Sequence, residues 1–277
     1  MVLPLSISMN TQVTATGMQV KAKAEGGIVI AAKAYTSSVA KDGNSVGYFD
    51  TVEDASYANP TDVAFSNNAA ITLGASELYP TSVPSGLAHW YHAASNAVDN
   101  YAAAGGYQTL DAVYALKTDG KAYSGDGTSS ATAYALQGQY YLLNQFQIKA
   151  TDASTYSVWL SGITVSNNNS PAHSANLNKA LRICVVVGSN YYFFAPQYET
   201  GTLYYYNGSA RTAWGASAIK LGTSPNTQIS TSITTVPTDV SVYIYYEGED
   251  ENCKSINAID IDTLTVDLTF TSIDPTT

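Results

Sequence analysis

The stretch VSVYIYYEGEDENC, residues 240–253, joins an alternating apolar segment to four acidic side chains within five residues. Valine and aromatic residues in this pattern favour a β-strand, because they suit a pleated, half-buried surface. A second alternating stretch, LTVDLTFT at residues 264–271, follows the acids. We therefore predict two strands, with the acidic run on the connection between them at the end of a β-sandwich.

Further strand patterns occur on both sides of this region. MQVKAKA, residues 18–24, alternates small or apolar side chains with polar ones, and Gly26 and Gly27 predict a turn after it. Residues 85–105 are Ala-rich, start at a possible cap, Ser85, and end at Gly105, which predicts one short helical insertion. Residues 37–135 have weak periodicity overall. The spacing of strands predicts an all-β sandwich with long loops, formed as a single domain by residues 13–277 with an irregular insertion around 37–135.

The charge balance restricts the classes of partner. The 277 residues carry a formal net charge of −10, with 12 basic and 22 acidic side chains. Such a surface repels phosphate backbones, so we predict no nucleic-acid partner. No stretch approaches the roughly 20 apolar residues that a membrane-spanning helix requires. Neutral hydroxyl and amide side chains are abundant, as is typical of extracellular proteins.

The acidic run permits two interpretations. Glu247, Glu249, Asp250 and Glu251 are weak candidates for a calcium site, which would need six to eight oxygen ligands. Two further acids after the turn, Asp260 and Asp262, would complete such a site. In the second interpretation the acids are solvated at the rim of the sandwich, where like charges discourage edge-to-edge aggregation. The spacing matches no recognised calcium loop, so the sequence favours the solvated rim and predicts no cofactor.

The two cysteines, Cys184 and Cys253, are far apart in the sequence. In an oxidising compartment they could form one disulfide that closes a long loop, which would stabilise the fold by roughly 4 kcal/mol. The alternative is a pair of buried free thiols. Neither cysteine has a CxxC spacing or a nearby histidine, so neither resembles an activated nucleophile.

No motif predicts an enzyme. His89 and His92 would share one face of the predicted helix, but they and His173 lack an HExxH pattern. Glycosylation triplets begin at Asn168 and Asn207, in turn-like contexts. Aromatic clusters could present outward rings for sugar stacking or for packing between subunits, or they could form cross-strand pairs. These clusters are residues 191–194, 204–206 and 243–246.

Four stretches in matching order resemble the TasA/camelysin-type family, secreted proteins of Gram-positive bacteria whose export depends on the SipW type of signal peptidase. The stretches are SMNTQVTATGMQVKAKA (8–24), LYPTSVPSGLAHWYHA (78–93), ALRICVVVGSNYYFFAP (180–196), and VSVYIYYEGEDENC with LTVDLTFT (240–253 and 264–271). This resemblance implies a jelly-roll-like β-sandwich that assembles into extracellular fibres, in which an N-terminal segment of one subunit completes the sheet of the next.

The segment 1–12 contains a candidate for that role. Leu3, Leu5, Ile7 and Met9 alternate with polar residues and Pro, a pattern that predicts a one-faced apolar strand ahead of the first strand of the fold. Addition to a neighbour's sheet edge would bury the apolar side chains and pair the backbone. The alternatives are pairing within its own domain, or a remnant of a signal sequence or tag.

The sequence thus predicts a secreted, cell-surface subunit of a biofilm or pilus-like filament, whose main partner is itself as a head-to-tail homopolymer. The runner-up prediction is a monomeric adhesin or carbohydrate-binding module that uses exposed tyrosines to bind glycans or surface receptors.

Overall fold

The structure is a computed structural model. It describes residues 13–15, 17–32, 65–73, 76–78, 81–83, 91–93, 107–109, 142–167, 173–207, 209–253 and 263–277. The predicted donor segment 1–12 and much of the predicted insertion 37–135 lie outside the described residues.

The described chain contains eighteen strands and one helix. The first eight strands are β1 (Val13–Ala15), β2 (Gly17–Glu25), β3 (Ile28–Ala32), β4 (Asn68–Leu73), β5 (Ser76–Leu78), β6 (Thr81–Ser82), β7 (Tyr91–Ala93) and β8 (Tyr107–Thr109). The rest are β9 (Leu142–Ala150), β10 (Tyr156–Asn167), helix α1 (His173–Ala180), β11 (Leu181–Val187), β12 (Asn190–Ala195), β13 (Tyr204–Tyr206), β14 (Arg211–Ala213), β15 (Ile219–Leu221), β16 (Thr227–Ile233), β17 (Thr238–Tyr246) and β18 (Thr263–Thr271).

Two large sheets pack face to face. The five-stranded sheet has the order β16-β10-β18-β2-β4, and the six-stranded sheet has the order β15-β12-β11-β17-β9-β3. Apolar side chains of both sheets form the principal core between them. The predicted all-β sandwich is therefore confirmed. Its pairing is mainly antiparallel, but β18 pairs with β2 in parallel and β12 pairs with β15 in parallel, which a purely antiparallel jelly roll would not contain.

The five-stranded sheet follows the alternation that the sequence predicts. In β2, Val20, Ala22 and Ala24 are buried, whereas Lys21 and Lys23 are exposed. In β18 the buried side chains likewise occur at every second residue from 264 to 270. This sheet buries one face against the partner sheet and presents a polar face on the other side, as antiparallel sheets commonly do.

The six-stranded sheet is buried on both faces. All seven residues of β11 are buried, and so are the last seven of β17. The outer face carries a second core in which Cys184, Val186, Tyr243 and Tyr245 contact residues from outside the sheet. Those residues belong to what we call the cover layer, residues 81–83, 203–207 and 209–214.

Tilted contacts between aromatic rings hold the cover layer on the sheet. The Trp214 ring lies 4.9 Å from the Phe193 ring and 4.7 Å from the Tyr205 ring, centroid to centroid. Within the layer, the backbone N–H of Tyr206 donates a 2.6 Å hydrogen bond to Ser82 Oγ. These contacts place segments that are far apart in sequence over one face of the six-stranded sheet.

The predicted helix over 85–105 is wrong at residues 91–93. Residues 91–93 form β7, which pairs with β6 on one side and β8 on the other. The aromatic residue and the cross-strand partners favour a strand there over the local helix propensity of the alanines. The rest of 85–105 lies outside the described residues, and the helix that the structure describes is α1.

The predicted turn at Gly26 and Gly27 is confirmed. It joins β2 of one sheet to β3 of the other, and Gly26 has a φ of 78°, a left-handed conformation that suits glycine. A methyl group on Gly27 would overlap the phenol ring of Tyr156. The ring therefore packs directly on the turn backbone.

We expect Gly27→Ala to destabilise the fold by about 1 to 3 kcal/mol, because the added methyl group must displace a packed ring. Urea denaturation followed by tryptophan fluorescence measures the change. Gly215→Ala is the matched control, since its new methyl would meet only Ala218 Cβ at 3.9 Å. Equal stability of the two variants would contradict the role of the Tyr156 contact.

Candidate functional site

The most unusual side chain among the described residues is Arg182, near the start of β11 and on the same side of that strand as the second-core residues Cys184 and Val186. Its side chain has no exposed surface. A buried guanidinium needs both a counter-charge and hydrogen-bond acceptors. Its Nη2 donates to Asp250 Oδ2 at 2.6 Å, and its Nη1 donates to the backbone oxygens of Lys179 at 2.6 Å and Leu181 at 3.0 Å. The acidic connection after β17 is thus folded inward onto β11.

Asp250 accepts hydrogen bonds from three residues. Besides Arg182, the Tyr198 hydroxyl donates to Oδ2 at 2.7 Å, and Asn252 donates to Oδ1 from its backbone N–H at 2.8 Å and from Nδ2 at 2.9 Å. Burial, together with the neighbouring charge of Asp250, raises the pKa of the Tyr198 phenol, which stays a donor at neutral pH. This carboxylate is therefore fully engaged by the protein.

Glu249 and Glu247 are also buried. Glu249 Oε2 lies 3.2 Å from Nε of Arg211, whose guanidinium stacks 3.7 Å from the centre of the Tyr204 ring. Glu247 accepts a 3.2 Å hydrogen bond from the backbone N–H of Glu249. Burial raises the pKa of the Glu247 carboxyl to about 8, so this acid is mainly protonated at neutral pH.

Together these side chains form what we call the acidic cluster: Arg182, Tyr198, Arg211, Glu247, Glu249, Asp250 and Asn252. It joins the cover layer to the sheet, since the backbone N–H of Gly248 donates to Thr81 O at 2.8 Å. The predicted solvated rim is therefore wrong for three of the four acids, and only Glu251 is exposed. The connection turns inward because β11 buries an arginine that requires an anion.

Three of the calcium candidates are held by the protein's own groups. Asp250 and Glu249 are paired with arginines, and burial raises the pKa of the Glu247 carboxyl to about 8. Among the residues that the structure describes, no three His, Cys, Asp or Glu side chains are grouped to hold a metal ion. Asp260 and Asp262 lie outside that part of the chain. The described contacts of the cluster neutralise charges that are buried in the fold.

The sequence analysis missed Arg182, Tyr198 and Arg211. A signal for Arg182 was present, because it is the one charged residue in the otherwise apolar run LRICVVV. A charge in a strand of that kind requires an opposite charge close by in space. Tyr198 and Arg211 carry no comparable signal, since both lie in polar stretches of sequence without an apolar run.

Cys184 and Cys253 are both free and buried. Cys184 belongs to the second core and Cys253 to the principal core, so the disulfide alternative is not formed in this structure. Burial raises the pKa of both thiols, which keeps them protonated and unreactive.

The tyrosine clusters are less exposed to solvent than the sequence predicts. Tyr243, Tyr245 and Tyr246 are fully buried, because the cover layer closes the outer face and the principal core holds Tyr246. The remaining described tyrosines of these clusters, residues 191, 192 and 204–206, are partly exposed. Outward orientation in a strand thus did not mean contact with solvent.

The predicted histidine pair and the glycosylation triplets are placed only in part. His92 lies in β7, where helical spacing does not apply, and His89 and Asn168 lie outside the described residues. Asn207 is exposed, and its Oδ1 accepts hydrogen bonds from the backbone N–H groups of Ser209 and Ala210, both at 2.9 Å. Its side chain therefore shapes the turn between β13 and β14.

We expect Arg182→Met to lower the free energy of unfolding by about 3 to 5 kcal/mol, because Asp250 then stays buried without its counter-charge. The double variant Arg182→Met, Asp250→Asn removes both charges and should recover most of the loss. Urea denaturation measures both. Lys220→Met, at an exposed lysine, is the control and should change stability by less than about 0.5 kcal/mol. A stable single variant would contradict the assigned pairing.

Glu247 should make stability depend on pH. Its pKa is about 8 in the folded chain and near 4.5 in the unfolded chain, so folding takes up a proton between these values. Stability from this group is therefore full below pH 4.5 and is lost as the pH rises to about 8. Glu247→Gln should flatten the decline in melting temperature between pH 5 and 8. Parallel curves for the variant and the wild type would refute this assignment.

In the part of the chain that the structure describes, no helix is long and apolar enough to cross a membrane. Comparison with protein-family models, with curated proteins and with solved structures finds no match. The resemblance to the TasA/camelysin-type family stays a prediction from the quoted stretches, and the function is argued from the chain itself.

Proposed function

We propose that the protein is a structural subunit of an extracellular, cell-surface filament and that it polymerises by donating its N-terminal strand to a neighbouring subunit. The observation that carries this proposal is the one-faced apolar pattern of Leu3, Leu5, Ile7 and Met9 in the segment that precedes β1. A strand of this kind is stable in water only when a sheet edge pairs its backbone and a core covers its apolar face.

The mode of assembly follows from the asymmetry of donation. The donor segment and the edge that receives it are different parts of each subunit, so the contact is heterologous. Each added subunit still presents its own free donor or its own free edge. A heterologous contact whose rotation does not close a ring extends into an open filament. The hydroxyl-rich, weakly charged composition supports the extracellular location.

A glycan-binding adhesin receives less support. That hypothesis depends on outward tyrosines, and Tyr243 and Tyr245 face outward from the sheet but lie under the cover layer. Asp250 and Glu249 near them are buried and paired with arginines, so these two acids are not free to bind a sugar. The filament is therefore the function that we propose.

We expect the double variant Leu5→Asp, Ile7→Asp to stay folded and to raise the critical concentration for fibre assembly by at least about a hundredfold. Each buried Leu or Ile contributes about 1.5 to 3 kcal/mol, and 1.4 kcal/mol corresponds to a factor of ten. Sedimentation and negative-stain microscopy measure assembly.

The matched control is Ser6→Asp, Ser8→Asp, which adds the same two charges on the opposite face of the same segment. It should assemble nearly as the wild type does. Fibres formed by the Leu5, Ile7 variant at wild-type concentrations would overturn strand donation, and equal loss in the control would point to charge alone.

A further inference from the structure

Residues 81–83 of the cover layer meet the sandwich beside the acidic cluster. Thr81 forms a parallel bridge with Glu247, and the backbone N–H of Gly248 donates to Thr81 O at 2.8 Å. All three residues of the segment are buried, and Val83 belongs to the second core. On its other side β6 pairs with β7, in a three-stranded sheet that is separate from the two large ones. The segment can therefore separate from the sandwich without breaking either large sheet.

Glu247 is the acid at this contact, and its side chain is fully buried. Its backbone N–H donates to Ala180 O at 2.8 Å, which fixes its position at the end of β17. The Ser82 hydroxyl of the cover layer faces the carboxyl, and the backbone N–H of Glu249 donates to Oε1 at 3.2 Å. Among the residues that the structure describes, no group donates a hydrogen bond to Oε2. A carboxylate accepts through both oxygens, so this environment suits the ionised form poorly.

The charges around Glu247 are already balanced without it. Arg182 pairs with Asp250, and Arg211 pairs with Glu249. Ionised Glu247 would add a negative charge that has no cation of its own, at a position without exposed surface. Burial accordingly raises the pKa of the Glu247 carboxyl to about 8, although the charge of Arg182 acts in the opposite direction.

Other titratable groups also lie around Glu247. Tyr245 of β17 and Cys253 of the acidic connection are both buried, and burial raises the pKa of each well above its ordinary value. These two groups therefore keep their protons at pH 8. On the side of the cover layer, His92 of β7 lies opposite Thr81, and an ordinary histidine titrates near pH 6.5. Glu247 and His92 are thus the two groups to be separated by experiment.

We propose that residues 81–83 form a pH-dependent latch over the second core, closed while Glu247 is neutral and opened when this carboxyl ionises. Opening lets water reach the carboxylate and uncovers the outer face of the six-stranded sheet around Cys184 and Tyr245. Because the pKa is about 8 in the closed state and near 4.5 for an exposed carboxyl, the closed state is fully favoured below pH 4.5. The open fraction then rises about tenfold per pH unit up to about pH 8.

The two buried thiols report whether the opening is local. Cys184 belongs to the second core together with Val83, whereas Cys253 belongs to the principal core between the large sheets. Labelling of the full chain with iodoacetamide at pH 8, followed by peptide mass spectrometry, measures both rates in one sample. Cys184 should react at least about tenfold faster than Cys253, because the latch exposes one thiol and global unfolding exposes both. Equal rates would overturn the latch.

Glu247→Gln identifies the titrating group. Glutamine has nearly the shape of the neutral carboxyl and cannot ionise. The ratio of the Cys184 labelling rate in the wild type to that in the variant should therefore rise about tenfold between pH 6 and pH 7. The matched control is His92→Asn, in the strand that pairs with β6, and it should keep the wild-type pH dependence. A ratio that does not change with pH, or loss of the dependence in the control, would refute the role of Glu247.

The wild type alone gives a second measurement, which serves if Glu247→Gln does not fold. Between pH 5 and 7 the logarithm of the Cys184 labelling rate should rise by about two per pH unit. One part comes from ionisation of the exposed thiol and the other from ionisation of Glu247. A slope of about one, as a freely exposed thiol shows, would contradict the latch.

Discussion

The ion pair between Arg182 and Asp250 is the interaction on which the second half of the structure depends. It joins β11 to the connection that follows β17, with a distance of 2.6 Å and almost no exposed surface on either side chain. A guanidinium keeps its charge at any accessible pH, so its burial obliges an anion to lie beside it. That requirement draws the acidic connection inward and fixes where the cover layer meets the sheet.

The cover layer gives the sandwich an asymmetric construction. The six-stranded sheet is buried on both faces, with Trp214 and its aromatic neighbours closing the outer one. The five-stranded sheet keeps a polar outer face, on which Lys21 and Lys23 are exposed. In the part of the chain that the structure describes, one sheet is therefore covered on its outer side and the other is not.

Local sequence patterns were sufficient to predict a strand where one of its faces meets the core and the other meets water. The alternation of β2 and β18 and the turn at Gly26 are read correctly from the sequence, because side-chain period and glycine conformation are local properties. The prediction of a helix around Tyr91 was wrong because it relied on composition alone. Alanine-rich composition is a weak preference, and pairing with β6 and β8 overrode it.

The sequence by itself determined the fold class, the alternating strands such as β2 and β18, and the one-faced apolar pattern of residues 3–9. It did so because hydrophobic period is set by backbone geometry within a few residues. Only the tertiary structure decided that the acids are buried, that Tyr243 and Tyr245 are covered and that Cys184 and Cys253 lie in different cores. Burial of a polar or outward-facing residue depends on partners that are distant in the chain, and no local pattern specifies them.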